Sequence, residues 1–141
     1  MIRRAKKTDA DDIRILMEQL EGHSFDADNF REFFKKALKT DGYDMWVYES
    51  DGMVMAVITL LIKMPVHHAA YTSEVMELVV HEDCRSRGIG SKLLEHAEKL
   101  AHERGITEIE INSKKIRKDA HRFYHAHGYE NLRNNLTKEF R

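Results

Sequence analysis

The stretch Val79-Val80-His81-Glu82-Asp83-Cys84-Arg85-Ser86-Arg87-Gly88-Ile89-Gly90-Ser91-Lys92-Leu93-Leu94 constrains this chain more than any other. It begins at the end of an apolar run that includes Val75, Leu78, Val79 and Val80. It crosses a short charged loop and enters a helical pattern, with apolar residues at Leu93, Leu94, Ala97, Leu100 and Ala101. A strand that turns through glycines into a helix leaves backbone N–H groups unpaired and aimed outward. The helix dipole adds partial positive charge there, so the turn can hold a phosphate or pyrophosphate. Gly88 and Gly90 remove side chains where a ligand must approach the backbone, and Arg85 and Arg87 add positive charge. The bland alternative is a strand–loop–helix connection whose glycines serve only tight turning. The spacing is neither GxGxxG nor GxxxxGK[ST], which disfavours a Rossmann dinucleotide site and a P-loop.

Arg85-Ser86-Arg87-Gly88-Ile89-Gly90 resembles the Arg/Gln-x-x-Gly-x-Gly/Ala signature of the GNAT N-acetyltransferases. One strand and one helix downstream, Ala120-His121-Arg122-Phe123-Tyr124-His125-Ala126-His127-Gly128-Tyr129 resembles that family's Ala-x-x-Phe-Tyr-x-x-x-Gly-Phe segment. Two signatures in the right order are far more specific than either alone. The resemblance implies an α/β (α+β) fold in one domain over residues 1–141. Its mixed, mostly antiparallel central sheet would have six to seven strands, about four flanking helices and a splay between the fourth and fifth strands. It also implies that acetyl-CoA is the co-substrate, with its pyrophosphate on Arg85, Ser86, Arg87, Gly88, Ile89, Gly90 and Ser91. Pantetheine would pair with the backbone of Leu78, Val79 and Val80, where the N–H of Leu78 or Val79 would face the thioester carbonyl.

At 141 residues and 16.5 kDa the chain fits one domain with a real core. A formal net charge of −1 gives no global pull toward nucleic acid or an anionic membrane, so neither is expected as a partner. The single cysteine excludes an internal disulfide and fits a reducing compartment. Met1-Ile2-Arg3-Arg4 opens without the apolar stretch of a signal peptide, and the run Met53 to Ile62 is too short to span a bilayer. A cytoplasmic monomer or homodimer is the expectation.

Along the chain, Ile2 to Ala5 reads as a strand, and Thr8 is placed to cap the next helix. Ile13, Leu16, Met17 and Leu20 recur at helical spacing up to Gly22. Asp26 or Asp28 starts a second helix, whose Phe30, Phe33, Phe34, Ala37 and Leu38 form an apolar stripe closed by Asp41-Gly42. Met45 to Ser50 is a strand, Asp51-Gly52 a hairpin signal, and Met53–Lys63 a nearly all-apolar central strand. Tyr71 to Val80 is the strand feeding the loop. A helix runs through Glu103, Thr107–Asn112 is a fifth strand, and Lys114 to Lys118 is a basic connection. The helix Asp119–His127 follows, and Tyr129 to Arg141 reads as one or two short strands around Asn134-Asn135.

Acetyl transfer to an amine requires that the amine lose a proton, that a developing oxyanion be stabilised and that a thiolate be protonated. Tyr124 matches the helix tyrosine that commonly protonates the thiolate in the family. An unperturbed phenol near pKa 10 makes that transfer nearly balanced. Glu74 and Glu77 are the candidate bases. Three residues apart, they face opposite sides of a regular strand unless a bulge intervenes. His81 is a weaker candidate base.

In GNATs the second helical region often walls the acceptor pocket, so Phe30 and Phe34 are expected to line it as well as fill the core. His67-His68 has two readings, a pair that orients the acceptor or binds a divalent metal with Glu74, or two solvated loop histidines. His121 and His125 have a metal-compatible i, i+4 spacing without an obvious third ligand, and Cys84 reads as a packed loop thiol.

His67-His68 with Glu74–Val80, Gly90–Leu94, Asp119–Tyr124 and Thr137-Lys138 further resemble the bacterial aminoalkylphosphonate N-acetyltransferases. Those enzymes acetylate small aminoalkylphosphonates and use a divalent metal. The resemblance implies an acyltransferase that acetylates the primary amine of a small molecule, with Arg117 or Arg133 as the basic group for an anionic acceptor. Arg117 departs from the family by replacing an Asn that contacts the cofactor. A protein or peptide acetyltransferase and a non-catalytic acyl-CoA-binding module are the alternatives.

Overall fold

The computed structural model describes residues 1–112, 118–133 and 135–140. The expected basic connection up to Arg117 lies outside them, as does Asn134. The chain divides into two compact units, Met1–Glu110 and Ile111–Arg141.

The sheet consists of β1 (Ile2–Arg4), β2 (Tyr43–Ser50), β3 (Met53–Lys63), β4 (Thr72–Val80) and β5 (Ile109–Ile111), in that spatial order, and all of it but Ile111 belongs to the first unit. β1 to β4 pair antiparallel. At the far edge the Thr107 N–H donates to the Tyr71 carbonyl (3.3 Å) and the Ser73 N–H to the Glu108 carbonyl (3.0 Å). Residue numbers rise together in these two bonds, so the chain entering β5 runs parallel to β4 and the sheet is mixed. Five strands, not six to seven, form among the described residues. The shortfall lies after Tyr129, where the described backbone joins no ladder.

Helix α1 (Ala10–Glu21) follows a 3₁₀ turn at Lys7–Asp9. The helix is preceded by Asp9, not capped by Thr8. Burial would push the Asp9 carboxyl up, but the Arg3 guanidinium and the Lys6 N–H hold it below its ordinary value. Gly22 ends α1 with a left-handed φ of +77°. Asp26 caps α2 (Ala27–Leu38) by accepting the Asn29 N–H at 2.8 Å. The stripe expected on α2 is partly open, since Phe34 is 4% exposed and Phe33 is 72% exposed. Ile13, Leu16, Met17 and Phe34 pack on Met45, Val47, Val57 and Val79, so α1 and α2 cover one sheet face.

Helix α3 (Ile89–Glu103) covers the other face, where His96 meets Trp46 edge-on at 4.4 Å and Lys92 lies over Tyr48. Its Leu93 and Leu94 are fully buried, each contributing roughly 1.5–3 kcal/mol. Asp51 and Gly52 take the two positive φ angles of a type I′ turn between β2 and β3. In the second unit α4 runs from Lys118 to Ala126. No helix among the described residues is long and apolar enough to cross a membrane.

Candidate active site

β4 carries one extra residue relative to β3. Thr59 pairs with Glu77 and Leu60 pairs with Val75, so Met76 bulges out of the ladder. The registers then give two rows across the sheet, Tyr43–Leu61–Glu74 and Met45–Thr59–Glu77. Residues opposite one another share a face, and so do residues two apart in a strand, so Tyr43 and Met45 place both rows on one face. Glu74 and Glu77 therefore project together, toward α1 and α2.

Their surroundings differ. Glu74 accepts from the Lys63 ammonium at 3.0 Å, and Lys63 also meets Glu110 at 2.7 Å. Glu77 sits in a cavity of about 370 Å³ walled by Ile13, Met17, Phe25, Phe30, Phe34 and Tyr43. The Tyr43 hydroxyl donates to the Glu77 carboxylate at 3.4 Å, and the Glu77 N–H donates to the Thr59 hydroxyl at 2.9 Å. Burial pushes the Glu77 carboxyl above its usual range, the charges of Glu21 and Glu74 add to that, and the Thr59 and Tyr43 hydrogen bonds oppose it. Burial, with the Glu77 charge, pushes the Tyr43 phenol up to about 12. Such a carboxyl can accept a proton from an ammonium.

Strand geometry also decides where the β4 amides point. The N–H groups of His81 and Glu77 donate toward β3, to the Met55 carbonyl (2.7 Å) and the Thr59 hydroxyl. N–H directions alternate along a strand, so Val79 also faces β3, whereas Leu78 and Val80 face away from it. Between the two amides expected to reach a thioester, the ladder engages Val79 and turns Leu78 toward the opposite edge.

After β4 a 3₁₀ turn at Glu82–Cys84 leads into the glycine loop, with Cys84 buried as a packed thiol. His81 is occupied in holding this loop. Its Nδ1 accepts the Asp83 N–H at 3.1 Å, and its Nε2 meets the Gln19 amide at 3.3 Å. Arg85 and Arg87 donate to the Val80 and Asp83 carbonyls, each at 3.3 Å. Ser86 and Gly88 both adopt left-handed backbone, φ +66° and +77°. Gly88 is the N-cap of α3 and offers no side chain to its first turn, whose N–H groups have no intrahelical acceptor. A Cβ built on Gly88 would meet nothing within 4 Å, so the cradle is open on that side.

Phe30 and Phe34 stack with centroids 6.2 Å apart and line the Glu77 cavity. His67 and His68 lie in a 3₁₀ turn after β3, and His68 Nδ1 meets Glu108 at 2.9 Å. Among the described residues no three His, Cys, Asp or Glu side chains stand close enough to hold a metal ion. His67, His68 and Glu74 thus do not form the ligand set the sequence offered, and among the described residues no third ligand joins His121 and His125. In the second unit Tyr124 is half-buried on α4, with ring contacts to Phe123 (5.3 Å) and Tyr129 (6.0 Å). Arg133 lies in the exposed segment after α4. Tyr43, Thr59 and Lys63 were not legible as site residues, because only strand register brings them beside the two glutamates.

The Acetyltransferase (GNAT) family model matches residues 10–129, and the chain belongs to that family. It is an acyltransferase of the GNAT N-acetyltransferase type, and the family uses acetyl-CoA as co-substrate. An aminoalkylphosphonate N-acetyltransferase of Salmonella typhimurium is 33% identical over 137 residues, 97% of this chain and 89% of the relative. An uncharacterized N-acetyltransferase of Archaeoglobus fulgidus is 31% identical over 129 residues, covering 87% of this chain and 88% of the relative. Among solved structures, a transcriptional regulator from Bacillus halodurans C-125 superposes with a TM-score of 0.90 at 21% identity, over 99% of both chains. A ribosomal-protein-alanine N-acetyltransferase from Brucella melitensis does so with 0.84 at 17% identity, again over 99% of both chains. At such identities these structures share the fold.

Proposed function

We propose that this chain, as one GNAT domain over residues 1–141, transfers the acetyl group of acetyl-CoA to the primary amine of a small molecule by direct attack. The observation that carries the reading is the Glu77 carboxylate at the wall of the apolar cavity. Glu77 accepts the proton that must leave the ammonium before its lone pair can attack. The Leu78 N–H donates to the thioester oxygen as negative charge develops there. The amine loses its second proton as the N–C bond forms and the C–S bond breaks. Tyr124 returns one proton to the departing sulfur, so one proton is released per turnover. The first turn of α3, with Arg85 and Arg87 beside it, holds the pyrophosphate.

The name of the Salmonella relative supports an aminoalkylphosphonate acceptor. The lining of the cavity supports a different small amine, because it is apolar and acidic. Thiol release from acetyl-CoA, followed against aminophosphonates, polyamines, amino acids, arylalkylamines and short peptides, tests the reading. Turnover of small amines is expected. Turnover confined to peptide amines, or none with any amine, overturns it.

A further inference from the structure

We propose that the Glu77 cavity takes a primary amine carried on an apolar, ring-bearing body, an arylalkylamine, in preference to an anionic amine such as an aminoalkylphosphonate. The inference rests on the reading of this cavity as the acceptor site. Two acidic side chains, Glu21 and Glu77, line the cavity, and among the described residues no Lys, Arg or His does. A phosphonate there would meet no cation and would face the carboxylate that must deprotonate the amine. An ammonium meets the reverse situation, because Glu77 becomes the counter-ion at the point where the proton has to leave.

The rest of the lining suits an apolar body. Phe30 stacks on Phe34 at a 13° interplanar angle and lies 5.8 Å from Phe25, giving a continuous aromatic wall. Met17 and Leu20 face the same space from α1. A thioether and aromatic edges favour a second ring, offset or edge-on. The neutral polar atoms of Asn29, Tyr43 and Thr59 add hydrogen-bonding capacity without positive charge. At about 370 Å³ the cavity falls in the range, roughly 300–1,000 Å³, of small-ligand pockets. The Lys63 ammonium beside Glu74 is outside the cavity lining and is already shared between Glu74 and Glu110.

Two measurements on the purified full chain test the inference: calorimetric binding of each amine, and thiol release from acetyl-CoA. The amines are 2-phenylethylamine, benzylamine, ethylamine and 2-aminoethylphosphonate. The expected result is a kcat/KM for 2-phenylethylamine more than about tenfold above those for ethylamine and the phosphonate. Removing one buried methylene costs about fourfold. Phe30→Ala is expected to lower the 2-phenylethylamine value by about tenfold and the ethylamine value much less. A preference for 2-aminoethylphosphonate, with arylalkylamines neither bound nor turned over, overturns the inference and leaves the acetyltransferase reading standing. Binding of 2-phenylethylamine without turnover of any amine supports the cavity's ligand class and overturns the catalytic reading. Neither binding nor turnover of any amine overturns both.

Discussion

Glu74 and Glu77 stand three residues apart in β4 yet project from the same face of the sheet, because Met76 is an extra residue opposite the Thr59–Leu60 step of β3. The bulge places two carboxylates side by side in unlike environments. Glu74 is ion-paired with Lys63, while Glu77 is half-buried beside Tyr43 with its affinity for a proton raised. Of the two candidate bases, this relationship favours Glu77.

Glu77→Gln is expected to lower kcat by about 10²–10⁴-fold, the usual worth of general base catalysis. The wild-type rate should fall on the acid side with an apparent pKa above 4.5, the ordinary value for Glu. The variant should lack that limb. The same shift carries a stability effect of known sign. A carboxyl whose folded pKa is raised favours folding below its unfolded pKa, and that contribution is lost as pH rises through the folded pKa. Glu77→Gln should therefore raise Tm at neutral pH, with the gain vanishing toward pH 4. A Tm difference that does not change with pH contradicts this.

Tyr43→Phe removes the hydroxyl that donates to Glu77 and opposes its raised pKa. The acid limb of the pH–rate profile should then move to higher pH, while the cavity keeps its ring. An unmoved limb would separate Tyr43 from the titrating group.

Gly88 and Gly105 allow a paired test at the two ends of α3. Both have left-handed backbone, φ +77° and +74°, and at neither would a Cβ meet an atom within 4 Å. Ala at either position should cost a similar stability, about 1–2 kcal/mol from backbone conformation alone. Only Gly88→Ala should weaken acetyl-CoA binding as well, by more than that cost. Equal cofactor affinity in the two folded variants would remove the pyrophosphate from the Gly88 loop.

Tyr124→Phe keeps the aromatic ring and its contacts with Phe123 and Tyr129 but removes the proton to be donated. kcat should fall by about 10²–10⁴-fold with the KM for acetyl-CoA little changed. A near-normal kcat would give the acid role to water or another group.

Chelation should leave kcat/KM within about tenfold of its starting value, the smallest loss that disturbing a metal shell typically gives. The reason is that His67, His68 and Glu74 do not gather into a ligand set. Activity lost to EDTA and restored by a divalent ion would overturn this.

The amino-acid sequence by itself determined what depends on neighbours along the chain. The left-handed Gly22 and Gly88, the Asp51-Gly52 turn, the Asp26 cap, the full extent of β3 and the strand–loop–helix at Val80–Ile89 are all local choices. Torsional freedom, capping hydrogen bonds and apolar periodicity are readable over a few residues. What only the tertiary structure decided depends on residues far apart. The Met76 bulge exists only against β3, and with it the shared face of Glu74 and Glu77. The raised Glu77 pKa needs walls from α1 and α2, which lie far earlier in the chain. The opposite directions of the Leu78 and Val79 amides follow from a ladder whose register no single strand contains. Burial and register arise from several segments meeting, so the chemistry of Glu77 becomes readable only once those segments are in place.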